Sequence, residues 1–114
     1  MAGPAGRPWW GYEEIARHDW GDIVAAGKAL LRYDSRPWIG GVDVPAAVVL
    51  TSDDEVVPTS RQAAMADLLP DVRRFAVRGG HAVCTTRPAR FVPALLAACQ
   101  DVAARTGTRT AVAA

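Results

Sequence analysis

No apolar run in this 114-residue sequence approaches the roughly 20 residues of a membrane-spanning helix. Its opening, residues 1–8, has no apolar core of the length a secretory signal uses. A cytoplasmic location is therefore the expectation. Cysteine is scarce: Cys84 and Cys99 stand alone, without metal-ligand spacing, and two reduced thiols suit that compartment. No metal and no cofactor is expected. An excess of one charge is lacking too, with 13 basic against 12 acidic residues and a net charge of +1, so no electrostatic case exists for nucleic acid or an anionic membrane as partner. Lys28 is the sole lysine beside 12 arginines, which with abundant alanine fits a GC-rich bacterial genome of the actinobacterial kind. Serine is confined to Ser35, Ser52 and Ser60, and none has glycines two residues either side. These residues therefore hold no Gly-x-Ser-x-Gly, the turn that exposes a serine nucleophile between a strand and a helix. There are no internal repeats.

What is present is globular material, since 50% of the residues are hydrophobic and the length suits one domain. Residues 1–10 are rich in Gly and Pro and read as disordered, although Trp9 and Trp10 are costly to leave in water. A helical segment occupies 11–41. Within it Asp19 is a good N-cap, and Trp20, Ile23, Val24, Gly27, Leu30 and Leu31 share one helix face until Pro37 forces an exit. Val44 to Thr51 is apolar on both faces, the pattern of a strand inside a parallel sheet, covered above and below. Pro58-Thr59-Ser60 starts a second helix, in which Gln62, Met65, Ala66 and Leu69 recur at helical spacing before Pro70. Val72 to Val77 predicts a shorter, more polar strand at a sheet edge. Gly79-Gly80 makes a tight exit. The closing helix follows Thr86-Arg87-Pro88 and carries Phe91, Leu95, Cys99 and Val102 on its buried side, with Pro93 expected to kink it or delay its start. Residues 106–114 read as a frayed tail. The order helix, strand, helix, strand, helix defines an α/β chain with two parallel strands. Two strands are marginal alone, so the sheet is expected to continue beyond them.

Two local patterns carry chemistry. Asp54-Glu55-Val56-Val57-Pro58 follows the first strand, and Gly79-Gly80-His81 follows the second. In this order, each behind its own strand with one helix between, they resemble the C-terminal third of the α/β-hydrolase fold family, from about Val42 to Val102. Arg17-His18-Asp19-Trp20 and Asp34-Ser35-Arg36-Pro37-Trp38-Ile39 look like the return from cap to core in bacterial members. The resemblance implies a partial α/β-hydrolase fold, with residues 42–105 as the C-terminal part of its core. It implies Asp54 as the triad acid and His81 as the general base, acting on a small-molecule ester or amide in the complete enzyme. In that family the serine elbow and the oxyanion hole precede the stretch matched here. The expectation is thus a fragment or truncated member, inactive by itself. The alternatives are one half of a split hydrolase assembled in trans, through self-association or pairing with a nucleophile-bearing half, and a small non-catalytic interaction module.

Each of these residues also has a plainer reading. Asp54 alone is an ordinary turn or cap aspartate, and His81 a loop histidine. Asp53 reads as a solvated turn residue, His18 as a surface residue near a helix start, and Cys84 as a small buried filler rather than a nucleophile. Trp9, Trp10, Trp20 and Trp38 read as packing residues. Arg73, Arg74 and Arg78 form a solvated strand face.

Overall fold

A computed structural model describes residues 9–113, which fall into two compact units, Met1–Asp34 and Ser35–Ala114. The division lies inside the stretch 11–41 that the sequence pattern assigns to one helical segment. In the first unit, helix α1 spans Trp9–Arg17 and helix α2 spans Trp20–Arg32. The carboxylate of Asp19 caps α2 by accepting from the Gly21 N–H at 2.6 Å. Tyr33 is extended and ends it. Within 11–41 the helical periodicity is explicit only from Asp19, so α1 is not picked out as a separate helix: its apolar residues alternate with Glu13, Glu14 and Arg17 too briefly to stand out. Trp9 and Trp10 already belong to α1, and the rest of the stretch expected to be disordered lies outside the described residues. The apolar face of α2 forms as expected but stays uncovered, with Trp20, Val24, Leu30 and Leu31 all exposed.

The second unit runs α3 (Arg36–Ile39), β1 (Ala46–Thr51), α4 (Thr59–Leu68), β2 (Val72–Val77), α5 (Val83–Thr86) and α6 (Pro88–Ala113). It mixes helices with a two-stranded parallel sheet, an α/β arrangement in the coarse sense. Strand β1 starts after Pro45, which has no N–H to give a ladder. Ala46 lies opposite Val72, and the register continues to Thr51 opposite Val77. The N–H groups of Ala46 and Ser52 donate to Asp71 and Val77, at 2.9 and 3.0 Å. Alternate residues of a parallel strand bond to the same neighbour, so the even-numbered residues of β1 face β2 and the backbone of Ala47, Val49 and Thr51 faces away. Among the described residues no strand occupies that far side. The full cover expected for β1 is accordingly not there: all six of its residues are half-buried.

The core of this unit is Ile39, Ala66, Val77, Val83 and Ala98. Helix α6 begins at Pro88 and continues through Pro93, so no late start occurs. It turns Phe91, Ala94, Ala98 and Val102 inward and leaves Leu95 and Cys99 exposed, contrary to the sequence expectation. Alanines let the helix approach the sheet closely, which sets its rotation. Cys84 is exposed as well, not a buried filler. The helical backbone runs to Ala113, past the point where fraying was expected, because no proline follows Pro93 to stop it. Among the described residues no helix is long and apolar enough to cross a membrane.

Arg105, on α6, secures the end of the sheet where both strands start. Its guanidinium donates to the Ala46 carbonyl at 2.6 Å, to the Asp71 carboxylate at 2.6 Å and to the Asp101 carboxylate at 2.8 Å. Asp101 also pairs with Arg73 at 3.1 Å. One planar group thus joins the helix, the first residue of β1 and the entry to β2. Arg105→Ala is expected to cost about 2 kcal/mol in denaturant unfolding, the scale of partly buried charged hydrogen bonds. Arg105→Lys should recover less than half of that, since an ammonium cannot serve three divergent acceptors in the same geometry.

Candidate functional site

Parallel strands end on the same side of the sheet, about 4.8 Å apart. Whatever leaves β1 and β2 at that side is brought together. Asp54 follows Thr51 by three residues and His81 follows Val77 by four. Beyond the ladder the two loops stay tied, because the Asp53 N–H donates to the Gly79 carbonyl at 3.1 Å. Close approach requires a glycine at position 79, while position 80 is only snug. A Cβ on Gly79 would run into the side chain of Val83, and one on Gly80 would sit 3.4 Å from the Asp53 carbonyl oxygen.

The Asp54 carboxylate is almost enclosed, its side chain 4% exposed. Oδ1 accepts from the backbone N–H groups of Val56 and Val57, at 2.9 and 2.8 Å, in the turn that leads to Pro58. Oδ2 accepts from the Thr51 hydroxyl at 2.9 Å and lies 3.1 Å from Nδ1 of His81. Burial works to raise the carboxyl pKa. The hydrogen bonds from Val57, His81, Thr51 and Val56 outweigh it and lower the pKa from 3.8 to about 2. An ionised carboxylate can only accept, so the His81 proton sits on Nδ1 and the Nε2 lone pair is left to take a proton. The His81 side chain is 56% exposed, and Nε2 makes no hydrogen bond among the described residues. A held carboxylate behind a reachable imidazole is an arrangement for general-base chemistry.

The two residues singled out by the sequence pattern are therefore together. The others are not drawn in: Asp53 is exposed and bonds its neighbour Ser52 at 3.0 Å, and His18 is an exposed residue of the first unit. Among the described residues no group of His, Cys, Asp and Glu side chains could hold a metal ion. Thr51, Thr59 and Gln62 belong to the site and were not anticipated. Gln62 Oε1 accepts the outward N–H of Thr51 at 3.0 Å, and the Thr59 hydroxyl donates to the outward Thr51 carbonyl at 2.5 Å. A polar Gln62 on the otherwise apolar inner stripe of α4 was the signal that could have revealed this. No protein-family model, no curated protein and no solved structure matches the chain.

A carboxyl whose folded pKa is depressed stabilises the fold above its unfolded pKa and loses that contribution as pH falls through the folded value. For Asp54 the window runs from about 3.8 down to about 2. Thermal melts of the wild type should fall towards those of Asp54→Asn as pH is lowered across that window. A gap between the two that stays constant from pH 5 to 2 would contradict the ionised, hydrogen-bonded state of Asp54.

Proposed function

We propose that this chain carries the acid and the base of a hydrolase of the α/β-hydrolase type, with Asp54 as the acid that orients His81 and His81 as the general base. The observation that supports it is the 3.1 Å contact between Asp54 Oδ2 and His81 Nδ1, made by an enclosed carboxylate and an exposed ring at the ends of adjacent parallel strands. In such an apparatus Nε2 takes the proton of a nucleophile as it attacks a carbonyl, and the carboxylate stabilises the imidazolium that forms. The substrate class is a small-molecule ester or amide, and the cytoplasm is its place of action. The 114 residues hold no Gly-x-Ser-x-Gly, so the nucleophile and the oxyanion donors come from another segment. The chain alone is a catalytically incompetent part.

A second reading has its own support. The outward backbone groups of Ala47 and Val49 have no strand beside them among the described residues, and β1 is apolar yet only half-buried. A sheet edge of that kind takes a further strand. On this reading a separate polypeptide completes the sheet and brings the serine, as in a split enzyme.

In a serine hydrolase stripped of its triad, the remaining acceleration of roughly 10³ to 10⁴ comes from the oxyanion hole and substrate binding. The purified chain, lacking both, should show no labelling by a fluorophosphonate probe and no p-nitrophenyl ester turnover beyond that of free imidazole. Activity that appears only on mixing with a serine-bearing polypeptide would select the split enzyme. Saturable turnover by the chain alone, abolished by His81→Ala, would overturn its incompetence and direct attention to the exposed Cys84 as nucleophile.

A further inference from the structure

The side chain of Gln62 has an orientation that can be assigned from its partners. Thr51 N–H is a donor only, so the atom 3.0 Å from it is the amide oxygen and the other end is the NH₂. That NH₂ lies 2.7 Å from the Thr51 hydroxyl oxygen and 2.7 Å from the Val57 carbonyl, which use its two hydrogens. It also lies 3.3 Å from Asp54 Oδ2. Thr51 Oγ1 accepts from Gln62, so the hydroxyl hydrogen turns to Asp54 Oδ2 at 2.9 Å. The result is a one-way chain. Gln62 donates to Thr51, Thr51 donates to Asp54 Oδ2, and the same oxygen receives Nδ1–H of His81. Its direction is set by a backbone N–H, which cannot reverse. Hydrogen bonds aligned in this way polarise one another.

We infer that Gln62 is a positioning residue for the Asp54–His81 pair: its fixed amide points the Thr51 hydroxyl at Asp54 and holds Oδ2 where His81 can donate to it. This rests on the hydrolase reading for its purpose, though its geometry does not. Gln62 also links the pair to the sheet, because the same side chain closes the outward N–H of the last residue in β1.

Gln62→Glu tests this with nearly the same shape and the opposite polarity. Either carboxylate oxygen facing Thr51 draws the hydroxyl hydrogen away from Asp54, and it places a second negative charge beside Oδ2. Thr51→Val cuts the chain at its middle link, and Thr51→Ser keeps it. The readout is the His81 ring in the full ¹⁵N-labelled chain at neutral pH, where long-range ¹H–¹⁵N spectra report which nitrogen carries the proton. Wild type and Thr51→Ser are expected to hold the proton on Nδ1. Gln62→Glu and Thr51→Val are expected to lose that signal and approach Asp54→Ala, while the backbone amide spectrum shows the fold intact. A merely structural glutamine would lower the melting temperature without changing the tautomer. If Gln62→Glu does not fold, Thr51→Val reads the same link from the strand side. A folded Gln62→Glu or Thr51→Val with Nδ1–H unchanged overturns the positioning role and leaves the Asp54–His81 pair standing. A wild-type ring without its proton on Nδ1, indifferent to Asp54→Ala, overturns the pair and the positioning role together.

Discussion

The parallel register of β1 and β2 is the constraint on which the site depends. With Thr51 opposite Val77, the residues three and four places further on come to the same side of the sheet. A slip of one residue would turn each side chain of a strand to the opposite face. The register is therefore held at both ends by side chains as well as by the ladder. Arg105 binds the starting ends, through Ala46 and Asp71. Gln62 and Thr59 bind the last residue of β1, and the Asp53–Gly79 backbone bond ties the exits. A two-stranded sheet is marginal by itself, and these clamps, with α6 laid on both strands, are what support it among the described residues.

The pair at the exits is asymmetric by design of its surroundings. Three donors besides His81 converge on the Asp54 carboxylate, from Val56, Val57 and Thr51, which fix its position and keep it ionised. Among the described residues the His81 ring has a single hydrogen-bond partner, and it is exposed. A rigid acceptor and an accessible base are different physical requirements, and the turn through Val57 meets the first while the two glycines before His81 meet the second. The turn fills Oδ1 and leaves Oδ2 for the histidine. At Gly79 a larger residue would run into Val83, and Gly80 lies against the Asp53 backbone.

Much of this was legible in the residues. The second strand, the Asp19 cap, the helix start after Pro58 and the Pro88 start each rest on local chemistry that no tertiary contact has to supply. Asp54 and His81 were picked out by the resemblance of their two turn motifs to a family ending, and parallel pairing of the strands before them explains how they can meet. Helices α1, α3 and α5 were not, since none has more than nine residues and two have a single turn, too short for a period to show. Of the inner face expected for α6, Phe91 and Val102 do turn inward, but Leu95 and Cys99 are exposed, and Ala94 and Ala98 take their place because they allow the closer approach. Thr51, Thr59 and Gln62 were illegible because their role comes from how α4 sits against the end of β1, a tertiary fact without a sequence period.

The central claim is that the paired strands deliver an enclosed carboxylate to the ring of His81. The separation of Asp54 Oδ2 and His81 Nδ1 in a crystal structure that resolves side-chain rotamers tests it most directly. A distance near 3.1 Å, with Asp54 enclosed and the ring open to solvent, is expected. Side chains more than about 8 Å apart, well beyond the hydrogen-bond reach a general base and its partner need, or lying at opposite ends of the sheet, would contradict it.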